Sequence, residues 1–137
     1  HVPDSDPFSI DLDDDERRLL RCGILEWGGP ARCTEEMAIA LGFESVQDIF
    51  AQTDRLRDAL KTGAALTYID WSRVVLATEV VFASAVMGSG HDWSVTTGIS
   101  DADTIVLLRQ VQRKVTRAAG RRLGHGIGTR NGPALPP

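Results

Sequence analysis

The sequence predicts an all-α fold: a small bundle of four long helices plus one short helix, with extended N- and C-terminal tails. Three observations carry this. Apolar residues recur at helical spacing in several stretches. Those stretches open on Ser, Thr or Asp and close on Gly, the residues that satisfy orphan amides and relieve strain at helix ends. Finally, the stretch richest in β-branched residues, Trp71–Met87, runs unbroken for about seventeen positions, too long for a strand.

The elements follow in order. Residues 1–12 hold two prolines and three aspartates and read as an acidic extended arm. A first helix is predicted from about Asp13 to Trp27, its acids in the first turn suiting the positive end of the helix dipole. Leu19, Leu20, Ile24 and Trp27 form its apolar side, and Gly28-Gly29-Pro30 ends it. Thr34 caps a short helix to about Leu41, closed by Gly42. Ser45 caps the next, to about Thr62, with Val46, Ile49, Phe50, Leu56 and Leu60 as its apolar stripe. Asp70 is the predicted cap of the Trp71–Met87 helix, whose apolar residues project in nearly all directions and place it mid-bundle. The last helix starts at Ser100 and runs to about Ala119, with Ile105, Leu108, Val111, Val115 and Ala119 facing inward. Residues 13–119 are thus the bundle and 120–137 a Gly/Pro-rich basic tail.

At 137 residues the chain fits one domain, with an ordinary hydrophobic share of 42% and charged share of 25%. No run has the roughly 18 uncharged apolar residues that span a bilayer. The acidic beginning has neither the basic nor the apolar region of a secretory signal, so a cytoplasmic, membrane-free setting is expected. Cys22 and Cys33 stand alone, without Cys-x-x-Cys, and read as reduced, largely buried thiols. With only 3 histidines, no metal and no cofactor is expected.

The net charge of −4 is unevenly spread. Seven acids and no base lie in residues 1–16; seven bases and no acid lie in 109–137. Opposite charge at the two ends suits pairing within the chain, between copies or with an outside partner.

Four features carry the functional expectations. The segment Met87–Gly98, MGSGHDWSVTTG, crowds three glycines with His91, Asp92 and Trp93. It follows a helix and lacks the lysine of a P-loop, which argues against phosphate binding. A structural crossover anchored by Trp93 is the first expectation, and a recognition loop using His91, Asp92 and Trp93 the second. Glu79 is a carboxylate in the core helix, so it should be buried against a base such as Arg109 or Arg113, or a hydroxyl. In a sharper reading, Glu79 with His91 and Asp92 forms a small metal- or acid-dependent enzyme site, although no catalytic residue is assigned.

The third feature is the pair of helices at 34–61. Ala38, Gly42 and Ile49 resemble the turn of arabinose-regulator-type activators, and the likeness goes no further. Glu44, Gln47, Asp48 and Asp54 on the second helix would repel phosphates. The fourth is the line Arg109, Arg113, Arg117 and Arg121, four apart and so on one helix face. It has no interleaved aromatics for base stacking. A nucleic-acid-binding regulator using this face or the helix pair is the alternative; nucleic acid is not the expected partner. The leading expectation is a cytoplasmic protein-interaction or regulatory module, a homodimer or the binder of another protein, with Arg109, Arg113, Arg117 and the 91–93 loop as its partner-binding candidates.

Overall fold

The computed structural model describes residues 6–29 and 31–127, with side chains as far as Arg121. The chain is all-α. Its helices are α1 (Asp14–Glu26), α2 (Glu35–Ala40), α3 (Val46–Thr62), α4 (Tyr68–Ala83), α5 (Trp93–Thr97) and α6 (Asp101–Ile127), with a 3-10 turn at Gly90–Asp92 before α5. Among the described residues the only extended pairing is one antiparallel bridge, Phe8 to Leu66.

Local chemistry sets most boundaries where the sequence places them. Asp13 and Glu16 form a reciprocal capping box at the start of α1. Thr34 caps α2 through the Met37 amide, Ser45 caps α3 through the Asp48 amide, and Gly63 ends α3 at φ 79. Ser100 Oγ accepts the Asp103 amide at 3.1 Å.

Three boundaries differ from expectation. The cap of α4 is Thr67, whose side chain accepts from the Asp70 amide. Asp70 is held away from capping, because its carboxylate receives Arg55 at 2.8 Å and Arg73 at 3.0 Å. The C-terminus of α4 is Ala83, since the chain doubles back there and the Ser89 amide reaches the Val81 carbonyl at 2.8 Å. Lastly, α6 continues past Ala119 and Gly120 to Ile127, so the first eight residues of the expected tail are helical. The rest of that tail, 128–137, lies outside the described residues, as do positions 1–5 of the arm.

The core lies where α1 crosses α4. Gly23 sits on that crossing so closely that a Cβ there would collide with Thr78 Oγ1. Around it pack Leu19, Leu20, Ile24, Trp27, Val74, Ala77 and Val81, with Ile49, Leu56 and Leu60 of α3 and Val111 of α6. A fully buried leucine or isoleucine stabilises by roughly 1.5–3 kcal/mol, so this cluster dominates the stability. All three tryptophans are buried with a bonded indole N–H: Trp27 donates to Ala77 O, Trp71 to Phe8 O, and Trp93 to Thr104 Oγ1.

Two expected stripes are partly wrong. Ile105 of α6 is 58% exposed and Phe50 of α3 54% exposed. Helix α4 is not apolar-buried all round either, because Leu76 and Val80 lie at its margin while Trp71, Val74, Val75, Ala77, Thr78 and Val81 face inward. It is a helix with one wide buried face.

Candidate functional site

The glycine-rich connection between α4 and α6 is a packed structural element. Gly88 and Gly90 press against backbone that a side chain would strike. A Cβ on Gly88 would lie 2.5 Å from the Val81 carbonyl, and one on Gly90, at φ 49, would collide with Ala85 Cα. Gly88 therefore serves as a close-approach residue. Beneath the connection lies Glu26, buried at the end of α1. Its Oε1 accepts Ser89 Oγ and Thr96 Oγ1, both at 2.6 Å. The carboxylate ties both ends of the connection to α1, and its burial is compensated by two charge-assisted hydrogen bonds.

Trp93 is the hub. It is fully buried, edge-on to Phe82 at 5.8 Å, and bonded to Thr104 at 2.7 Å. As a partner-binding residue it is therefore ruled out, because its ring is already inside the fold. His91 and Asp92 are the exposed remainder, with His91 Nε2 3.9 Å from Asp92 Oδ1 and 82% of the His91 side chain in solvent. Among the described residues neither forms an ion pair with any other side chain.

Glu79 departs from expectation as well. It is half-buried and receives the Gln112 amide at 2.5 Å; Gln112 in turn accepts Arg109 at 2.7 Å. An amide thus stands between the carboxylate and the arginine. The reason lies in the arc that Glu79 shares with Ser72, Leu76 and Ala83, which is the outer margin of α4. Glu79, Phe82 and Ala83 of α4 face Ile105, Leu108, Arg109 and Gln112 of α6 across an open groove of about 300 Å³. The structure does not bring Glu79 together with His91 and Asp92 as a described ion pair or hydrogen-bonded cluster.

The buried charges that sequence reasoning missed are Glu16, Glu26 and Asp70, and all are paired. Glu16 caps α1 and accepts Lys114 Nζ at 2.6 Å, while the same ammonium donates to the Asp11 carbonyl. Lys114 is thus the contact between the acidic N-terminal region and the basic helix. Asp70 joins α3 to α4, and Arg73 also reaches the Gly42 carbonyl and lies over the Phe43 ring at 5.0 Å. Burial alone would raise the Asp70 pKa; the two guanidiniums outweigh it and hold the carboxyl below its usual range.

By contrast, Arg109, Arg113, Arg117 and Arg121 are all exposed, and among the described residues none forms a salt bridge. Next to them, Ile105 and Val106 are 58% and 56% exposed. On the other side of α6, Asp103, Val106 and Leu107 line an open cleft with Asp15 and Arg18 of α1. The outward face of α6 therefore carries unpaired bases, exposed apolar side chains and, at its margin, unpaired acids.

No protein-family model, curated protein or solved structure matches this chain.

Cys22 and Cys33 are free thiols, both half-buried where largely buried thiols were expected, and burial pushes both pKa values up, which disfavours the reactive thiolate. Among the described residues no group of three or more His, Cys, Asp or Glu side chains is placed to hold a metal ion. No helix among them is long and apolar enough to cross a membrane. In the α2–α3 pair, Gly42 turns at φ 99 and Glu35 caps Val46, while Glu44 and Gln47 are exposed and Asp48 is spent on the Glu44 amide and Gln52. That surface is acidic and internally bonded.

Proposed function

We propose that this chain is a cytoplasmic protein-interaction or regulatory module without catalytic machinery, docking through the outward face of α6 and the groove beside it. One contrast supports the reading. The buried carboxylates have hydrogen-bonded partners, whereas among the described residues Arg113, Arg117 and Arg121 have none and lie on the same helix as exposed Ile105 and Val106. Unpaired charge around apolar side chains is the composition of an interface, with a polar rim and an apolar centre. A polyphosphate partner fits less well, because exposed aliphatics have no role against phosphates and the chain's net −4 would oppose approach.

The test is photocrosslinking in expressing cells from a probe at Val106, with the same probe at Ile39 of α2 as control. Covalent protein adducts from Val106 and few from Ile39 are the expected result. Equal yields from both positions, or none from Val106, would sink the docking assignment.

A further inference from the structure

The outward face of α6 carries its own electrostatic complement, and that narrows what covers it. Gln110, half-buried, lies midway along the exposed stretch. Asp103 is seven residues before it and Arg117 seven after, so all three share one face, two turns apart. Leu107 is three residues before Gln110 and Arg113 three after; Leu107 shares its cleft with Asp15 of α1. Acids lie toward one end of this face and bases toward the other, at matched distances from a neutral centre. Asp15, Asp103, Arg113 and Arg117 have no ion-pair partner among the described residues.

We infer that the occupant of this face is a second copy of the chain, related by a two-fold axis near Gln110 that sets the two α6 helices antiparallel. This rests on the reading of α6 as the docking surface. A two-fold contact requires a patch complementary to itself. Antiparallel pairing about Gln110 brings Asp103 opposite Arg117 of the second copy, and the Leu107–Asp15 cleft opposite Arg113 of the second copy. Each pair occurs twice. Val106, one turn from the axis and more than half exposed, supplies apolar contact near the centre. An unrelated acidic partner would satisfy the arginines but would leave Asp15 and Asp103 facing like charge. A parallel pairing would set Arg113 and Arg117 against themselves. The interface is a small one, so association in the tens of micromolar and strong weakening by salt are expected.

The geometry has a distinctive test. In a homodimer, Asp103→Arg alone turns both of the outer pairs into arginine against arginine. Arg117→Asp alone turns the same two pairs into aspartate against aspartate. Mixed together, the two variants form a heterodimer in which the antiparallel register sets arginine against aspartate in both outer pairs, so mixing should restore association. The double variant, Asp103→Arg with Arg117→Asp in one chain, likewise restores both pairs with their signs exchanged. Sedimentation equilibrium should show the wild type approaching twice 14.9 kDa as concentration rises. Each single variant should dissociate at least about tenfold more readily, and the double variant should return to near wild-type affinity. All the substituted side chains are exposed, and melting curves verify that each variant folds. Should one fail, Asp15→Arg, Arg113→Asp and their double variant repeat the test on the second pair. A wild type monomeric throughout that range would overturn the inference. So would single variants that dimerise unchanged, or a double variant that does not recover. An oligonucleotide that binds the wild-type monomer and is released by Arg117→Asp would assign the face to a polyphosphate instead. If this test fails while Val106 still crosslinks to another protein, the second copy is wrong and the docking surface stands; if both fail, neither survives.

Discussion

The connection from Ser84 to Gly98 and the outward face of α6 are opposites in how composition relates to role. The connection holds the residues usually associated with chemistry: glycines, histidine, aspartate, tryptophan and hydroxyls. Yet its glycines allow backbone to pack on backbone, its tryptophan fills the core, and two of its hydroxyls bond Glu26. The α6 face has the composition of an ordinary solvated surface, and it holds charges without ion-pair partners among the described residues. Reactive residue types say little until their hydrogen-bonding capacity has been accounted for. What the fold has already satisfied is structural, and what it leaves unpaired in an ordered place is available to a partner.

The strongest way to break this comparison is to perturb the connection. Gly90→Ala forces a Cβ into Ala85 at a positive φ and should cost about 4 kcal/mol or more, enough to unfold a marginal domain. Trp93→Ala should cost about 4 kcal/mol through the cavity and the lost hydrogen bond to Thr104 Oγ1. Thermal melts check both; a melting temperature unchanged in either variant would mean the connection is not integral to the core.

Glu26→Ala is subtler, removing the acceptor of Ser89 and Thr96 with little apolar loss. A penalty of about 2 kcal/mol is expected, with Glu26→Gln retaining part of the stability through its amide oxygen. Faster hydrogen exchange at Ser89–Thr97 in the alanine variant would localise the effect.

A paired charge can be set against the unpaired ones through pH. The Asp70 carboxyl is held below its usual range, so its stabilisation is present above the unfolded value near 3.8 and is lost as pH falls through the lower folded value. Asp70→Asn should therefore melt well below the wild type at pH 7, and the gap should close below about pH 4. A gap constant from about pH 7 to about pH 3 would show that the ion pairs with Arg55 and Arg73 are not its origin. The smallest expected effects are at exposed sites: Arg113→Ala with Arg117→Ala, and His91→Ala, should each change stability by less than about 0.5 kcal/mol. The arginine pair should nonetheless alter association, and His91→Ala should not.

Much of the fold was legible because helix ends are decided locally. Thr34, Ser45, Ser100 and Gly63 act within one turn of their own position, and the structure keeps each. The cap of α4 was misread because Asp70 and Thr67 both suit that role, and only the arrival of Arg55 from α3 decides between them. The end of α4 depends on the fold-back of Gly88 onto Val81, a long-range fit no local signal announces. Ile105 and Phe50 fit apolar stripes by spacing, yet both stay more than half exposed, because periodicity gives a direction and not a neighbour. At the site, the spacing of the arginines was plain in the sequence. That they stand unpaired, and that Asp15 of α1 lies beside Leu107, required the fold. Glu79 could have been placed better: its arc with Ser72, Leu76 and Ala83 was already the less apolar side of the helix.

The most direct test labels both regions of one sample. Arginine-selective dicarbonyl labelling at Arg113 and Arg117 and histidine acylation at His91 are followed by mass spectrometry, in dilute solution and at concentrations where the chain is assembled. Protection of both arginines on assembly, with His91 reacting equally in both states, is the predicted result. Protection of His91 with the arginines equally reactive throughout would place recognition in the connection and contradict the assignment of α6.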